Sequence, residues 1–255
     1  MIQSFQYDAL TPEDIVELIY QMKHQSGAVL IKNVTGDVTS VFSNLFLQAR
    51  LELDYRQYSI DGDLELSSWW EISNQQSKDR SYAHSKTRQP FHNDNAWFSD
   101  PAEINLFYMQ KQVKVGGNQL VYRINDLVED LADYDQKLLD KLLSTKVHIF
   151  KGDGKYSNYT EILKLTPDGH QSFWNYYRTE KGTDEIRELC DQFFEFLNMQ
   201  LDQNAKNIHE LRSESNDVFF LNDQLNMHAR QAFEADEDRS RVLYQSMWKF
   251  KDEIS

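Results

Sequence analysis

The chain has 255 residues, 40% of them hydrophobic, enough to bury a sizeable core in one large domain or two small ones. Its 27 basic and 41 acidic residues leave a net charge of −14, a field that repels phosphate backbones and argues against nucleic acid as a partner. One cysteine, Cys190, excludes a disulfide framework within the chain, and no apolar run approaches the ~18 residues of a membrane span.

Along the chain, "MIQSFQYDAL" lacks the basic start and apolar run of a signal peptide, which points to a cytoplasmic protein. "TPEDIVELIYQMKHQSG" reads as a helix, with Thr11 as N-cap, Pro12 at the first helical position and Gly27 at the stop. "AVLIKNV" follows as a buried strand, and "VTSVFSNLFLQARLEL" has the apolar spacing of a second helix. From about Tyr55 to Asn125 the pattern is short strands and loops, and residues 125–144 read as helix. "KVHIF" and "QSFWNYY" read as strands, and "DEIRELCDQFFEFLNMQLDQN" is the longest helical pattern, with Cys190 as a small packed residue in it. Two strand candidates, "DVFFLND" and "RVLYQSMWKF", end the chain. This order predicts an α+β fold rather than a βαβ alternation. Gly and Pro are scarce and no repeat or linker is evident, so one domain over residues 1–255 is expected.

"PFHNDNAW" holds the first candidate site. On an extended strand, residues two apart share a face, so His92 and Asp94 would converge on one point. Of the remaining histidines, His24, His148, His170 and His209 have ordinary surface or hydrogen-bonding readings. His84 lies near enough in sequence to line a site. His228 follows an apolar strand pattern, and Arg241 opens the next one beyond the acidic loop "EADED". If those two strands pair, Arg241 returns close to His228. Two histidines and a carboxylate make a facial triad for non-haem Fe(II), with three positions left open. A dicarboxylic 2-oxo acid can chelate through two of them, and a guanidinium suits its far carboxylate because it stays charged and binds in a fork.

These segments resemble the Fe(II)/2-oxoglutarate-dependent dioxygenases, in the branch of taurine dioxygenase and the clavaminate-synthase-like enzymes. "SGAVLIKNV", "PFHNDNAW", "VGGNQLVYRINDL", "DVFFLNDQLNMHARQAF" and "RSRVLYQSMWKF" carry the resemblance, which spans most of the chain. It implies a double-stranded β-helix, or jelly roll, with helices outside. It implies Fe(II) on His92, Asp94 and His228, and 2-oxoglutarate held by Arg241, with Arg239 as the rival. Gln119 stands where relatives often have a threonine that helps hold the cosubstrate. Gln245 stands where some relatives carry a second arginine that meets an anionic group on the substrate. Asp94 places the chain with hydroxylating rather than halogenating relatives. The implied activity couples oxidative decarboxylation of 2-oxoglutarate by dioxygen to C–H hydroxylation, or to desaturation or cyclisation.

A small amino acid or amino-acid derivative, free or carrier-tethered, is the expected substrate. Asn95, Tyr82, His84, Arg178 and Arg230 are candidate contacts, with Gln245 beside them. Trp97, Trp174 and Tyr176 are candidate pocket walls or ordinary core. Two rival readings use the same residues: a zinc-dependent hydrolase, and a non-catalytic jelly-roll binding protein.

Overall fold

The computed structural model describes residues 1–59, 63–79, 81–152, 154–167 and 169–251. The chain begins with β1 (Ile2–Gln6), α1 (Pro12–Gln21), β2 (Ala28–Lys32), α2 (Val38–Gln48) and β3 (Leu51–Asp54). A hairpin of β4 (Arg56–Tyr58) and β5 (Leu64–Leu66) leads to β6 (Trp70–Ser73), β7 (Gln89–His92), β8 (Ile104–Lys111) and β9 (Gln119–Arg123). Then come α3 (Ile124–Ser144), two hairpins of β10 (Lys146–Phe150) with β11 (Ser157–Glu161) and β12 (Leu163–Thr166) with β13 (Gly169–Ser172), and α4 (Asp184–Asp202). The last strands are β14 (Ile208–Leu211), β15 (Asp217–Asn222), β16 (Asn226–Arg230) and β17 (Val242–Phe250).

Two sheets make the jelly roll. The major sheet runs β1-β2-β15-β8-β17-β3, with β6 also on β17; the minor sheet runs β14-β9-β16-β7. Strand alternation splits the apolar side chains into three layers. Phe219 and Leu221 of β15 join Phe107, Val121 and Leu243 between the sheets, while Val218 and Phe220 face α1 and α2 with Ile19, Phe42 and Phe46. On the outside of the minor sheet, Phe91, Tyr122, Met227 and Ala229 pack under α3 and α4 with Leu127, Phe193 and Phe196. The continuous apolar run "VFFL" in β15 is thus a strand buried on both faces.

Local signals explain most of the element ends, and some expectations are corrected. Thr11 and Asp14 form a capping box at the start of α1, which ends at Gln21, short of Gly27. α2 stops at Gln48; Arg50 turns the chain through a positive φ of 62°, and "LELD" becomes β3 rather than more helix. α3 breaks at Asp135, whose carboxylate accepts the N–H groups of Lys137 and Leu138 and restarts the helix. Of "QSFWNYY", only Gln171 and Ser172 are strand. The expected pairing of "DVFFLND" with "RVLYQSMWKF" also fails: β15 pairs β2 and β8, His228 lies on a separate strand, β16, that pairs β7 and β9, and β17 pairs β8, β6 and β3. The loop between β16 and β17 crosses from one sheet to the other.

Candidate active site

The inner face of the minor sheet carries the polar residues of β16. Met227 and Ala229 point to the helices, so His228 and Arg230 point between the sheets. His92, at the end of β7, is paired directly opposite His228, and the two ring centroids lie 4.3 Å apart. Asp94 is not on the strand. The chain leaves β7 after His92, and a buried peg, Asn93, fixes the turn. The Asn93 amide donates to Asn226 O (3.0 Å), and its carbonyl accepts from Ser172 Oγ (2.9 Å) and the Trp174 N–H (3.0 Å). Asp94 is thereby aimed at both imidazoles, with Oδ1 3.5 Å from His92 Nε2 and Oδ2 3.3 Å from His228 Nε2. One ligand atom from each of the three residues lies within 4.8 Å of the others.

The hydrogen bonds around the cluster orient it for a cation. The His92 Nδ1–H donates to Pro90 O (2.9 Å), which leaves an Nε2 lone pair, here facing the Gln89 amide at 2.9 Å. The His228 Nδ1–H donates to Asp223 Oδ1 (2.8 Å), and Asp223 Oδ2 accepts the backbone N–H of Asp94 (2.7 Å). One buried carboxylate therefore orients two of the three residues. Asn105 of β8 and Gln245 of β17 both donate to Asp94 Oδ2, at 2.9 and 2.6 Å. That arrangement leaves Oδ1 as the carboxylate's uncommitted oxygen. Burial opposes charge on His228, but Asp94 and Asp223 outweigh it and raise the imidazole to about 10. Burial likewise opposes charge on Asp94, yet His228 and His92 hold its carboxyl well below the usual range. Two neutral-capable imidazoles and a carboxylate, in a pocket that draws positive charge to their midpoint, fit a divalent metal. Binding the metal would release the proton of His228.

Arg241, the residue before β17, is buried between the sheets at 2% exposure. Its Nη2 donates to Gly117 O (3.2 Å), and its Nε has no partner among the described residues. Gly117, at φ 75°, leaves it room: a Cβ there would lie 3.2 Å from Arg241 Nε. Gly116, at φ 77°, is still tighter, since a Cβ would meet Ala232 O at 2.1 Å. The Gly-Gly segment is therefore shaped around the arginine and the strand crossing beside it. Arg239 is different: it is exposed and ion-paired with Glu71. His92 and Asp94 line one cleft of about 1170 Å³, whose walls include Gln245, Trp97, Tyr82, His84 and Arg178.

A family model described as "Taurine catabolism dioxygenase TauD, TfdA family" matches residues 2–247. The chain belongs to the TauD/TfdA family. It is a dioxygenase of the Fe(II)- and 2-oxoglutarate-dependent kind. No curated protein sequence matches it. Among solved structures, it is similar to asparagine oxygenase in complex with Fe(II), 2S,3S-3-hydroxyasparagine and succinate, with a TM-score of 0.71, 10% identity, and 92% of this chain and 78% of that one covered. It is also similar to the non-haem iron oxygenase OrfP with Fe and alpha-ketoglutaric acid, with a TM-score of 0.67, 13% identity, and 94% and 81% covered. OrfP with Fe and L-Arg gives a TM-score of 0.66 at 13% identity, with 92% and 79% covered. These likenesses establish the jelly roll. Family membership does not favour the zinc-hydrolase and binding-protein readings.

Within this TauD/TfdA fold, the sequence candidates sort by position. Tyr82, His84, Arg178 and Gln245 line the cleft. The Tyr82 and Tyr177 hydroxyls meet at 2.7 Å, and the His84 Nδ1–H donates to Ser73 O. Gln119 is buried on β9, in register with Arg230. Two candidates lie outside the cleft lining. Asn95, at φ 54°, turns its amide to Met247 Sδ (2.9 Å). Arg230 donates to the carbonyls of Tyr82, Ser85 and Thr87 at 2.8–2.9 Å, so it holds the wall segment from behind. Trp174 is fully buried against Phe193 and is core, whereas Tyr176 stacks on Phe194 as a partly buried residue at the edge of that core. Cys190 lies on the buried face of α4, and burial lifts its thiol to about 11, which removes it as a nucleophile.

Sequence reading missed Asp223 and Asn105. Asp223 sits in the quoted "FLND" segment, but its two partners are visible only in the fold. Asp223→Asn keeps the shape but leaves only one acceptor oxygen for two N–H donors. We expect it to weaken Fe(II) binding about 10- to 100-fold. An anaerobic Fe(II) titration in the presence of 2-oxoglutarate, followed by the visible metal-to-ligand band, measures this; an unchanged affinity would mean that Asp223 does not orient the ligands.

Proposed function

We propose that His92, Asp94 and His228 hold the Fe(II) of this dioxygenase, that Arg241 clamps the far carboxylate of 2-oxoglutarate with Gln119 nearby, and that the substrate is a small amino acid or amino-acid derivative. The observation that carries the reading is the His/Asp/His cluster, of which His92 and Asp94 line the cleft, together with a buried guanidinium that has no carboxylate partner among the described residues. Fe(II), 2-oxoglutarate and dioxygen together supply oxidising power, releasing succinate and carbon dioxide while one oxygen atom enters a C–H bond.

The chain's own residues do the rest. His92 and His228 present their Nε2 atoms, kept in that tautomer by Pro90 O and Asp223. Asn105 and Gln245 hold Asp94 through Oδ2, which would leave Oδ1 to bind the metal. Tyr82, Tyr177 and Trp97 wall the cleft. The structures of asparagine oxygenase and OrfP hold hydroxyasparagine, arginine and hydroxyarginines, which supports an amino-acid substrate. No helix among the described residues is long and apolar enough to cross a membrane. The net charge of −14 supports a small-molecule substrate over nucleic acid.

The test is succinate formation from 2-oxoglutarate under air, with Fe(II) and ascorbate, across a panel of free amino acids. At least one should stimulate turnover, and the hydroxylated product should appear by mass spectrometry. If no succinate forms under any condition and Fe(II) with 2-oxoglutarate gives no visible band, the iron reading falls.

A further inference from the structure

An irregularity in β7 aims a second side chain at the His92 imidazole. On a regular strand Gln89 and His92, three apart, would point to opposite faces of the sheet. Here His92 pairs with His228 but Gln89 pairs with Arg230, so three steps along β7 match two along β16. The extra residue is a bulge, and it turns Gln89 onto the inner face with His92, where both line the cleft. Pro90 sits inside the bulge, where its missing N–H costs the ladder nothing, and its carbonyl takes the His92 Nδ1–H. With the proton on Nδ1, Nε2 offers only a lone pair, and the Gln89 amide N–H donates to it at 2.9 Å. That lone pair is the one a metal ion needs, and an amide N–H and a metal ion cannot share it. The row that Gln89 begins continues in register through Arg230 to Gln119 of β9. The Arg230 and Arg241 guanidiniums both lie over the Phe233 ring, 5.1 and 5.7 Å from its centre, so the row leads from the metal cluster toward Arg241. Arg230, next to Gln89 in that row, is donor-only and offers the amide no acceptor.

We infer that Gln89 is a positioning residue with two partners in turn: the His92 lone pair in the metal-free site, and a carboxylate oxygen of 2-oxoglutarate once a metal ion has taken that lone pair. This deepens the iron-oxygenase reading and rests on it. The first bond opposes binding of the bare metal, because it must break before His92 can ligate. The second favours the cosubstrate, because the freed N–H stays tethered by the bulge beside the path from the metal cluster to Arg241. The two effects have opposite signs, and a side chain kept only for packing would produce neither.

Two titrations read the two bonds separately. In the first, Co(II) is added to the metal-free protein without 2-oxoglutarate and binding is followed by calorimetry. Gln89→Met, which keeps the length and removes the N–H, should bind Co(II) about fivefold more tightly than the wild type. In the second, 2-oxoglutarate is added to the Fe(II)-loaded protein without oxygen and binding is followed by the visible band. The same variant should bind it about tenfold more weakly. Gln89→Glu, of the same length but with a carboxylate in place of the amide, should move both affinities in the same directions, and it decides the matter if the methionine variant does not fold. Co(II) affinity that is unchanged or weaker in the folded variants overturns the inference, and so does an unchanged affinity for 2-oxoglutarate. A wild-type protein that binds no Co(II) and gives no band would instead bring down the iron reading beneath it.

Discussion

Asp94→Ala should abolish the visible band of the Fe(II)–2-oxoglutarate complex and cut succinate formation at least about 1000-fold, equivalent to ~4 kcal/mol. Asp94 is the only anion among the three candidate ligands, and it is held on four sides. His92 and His228 face its two oxygens at 3.5 and 3.3 Å, and Asn105 and Gln245 donate to Oδ2. Deleting the carboxylate leaves two imidazoles to hold a divalent cation in a buried site, where neutral ligands alone compensate its charge poorly. It also leaves both amides without their acceptor. His228→Ala should behave alike, because it removes the ligand that Asp223 orients. The comparison needs folded protein, so circular dichroism and thermal unfolding accompany each variant. A band of wild-type intensity in both variants would mean that the metal binds elsewhere.

The sequence carried more of the site than of the route to it. The apolar run of β15 was readable because a strand buried on both faces carries apolar side chains on each. His92, Asp94 and His228 could be picked as a set, since the family resemblance rests on those very residues. The physical reason for the convergence was misread, however. Asp94 reaches the imidazoles from a turn pegged by Asn93, not from an extended strand. Likewise Arg241 was expected next to His228 through strand pairing, and it instead approaches from the opposite sheet. Asp223 had no local signal. Its partner Asp94 lies 129 residues away, and only the closed sandwich brings the two together. Burial separates Arg241 from Arg239, and two arginines two residues apart do not reveal that difference in sequence.

Arg241→Met should raise the half-saturating concentration of 2-oxoglutarate about 100-fold while Fe(II) binding without cosubstrate persists. Its effect on stability should have the opposite sense. Burial lowers the affinity of Arg241 for its proton, and the nearby Arg230 charge adds to the effect, which is the signature of a guanidinium kept out of water at a cost. Among the described residues it has one hydrogen bond, to Gly117 O, and an unpartnered Nε. Methionine fills a similar volume without charge, so the substitution removes a desolvation penalty and is expected to raise the thermal midpoint of the cosubstrate-free protein by a few degrees, from about 1 kcal/mol or more. Gain of stability with loss of cosubstrate affinity is what separates an arginine buried for a ligand from one buried for the fold. Arg239→Met supplies the contrast. That side chain is exposed and, among the described residues, paired with Glu71, so its loss should shift stability by no more than about 0.5 kcal/mol and leave the 2-oxoglutarate requirement in place. If Arg239→Met raises that requirement and Arg241→Met does not, the clamp belongs to Arg239, and the burial of Arg241 serves the packing of the two sheets.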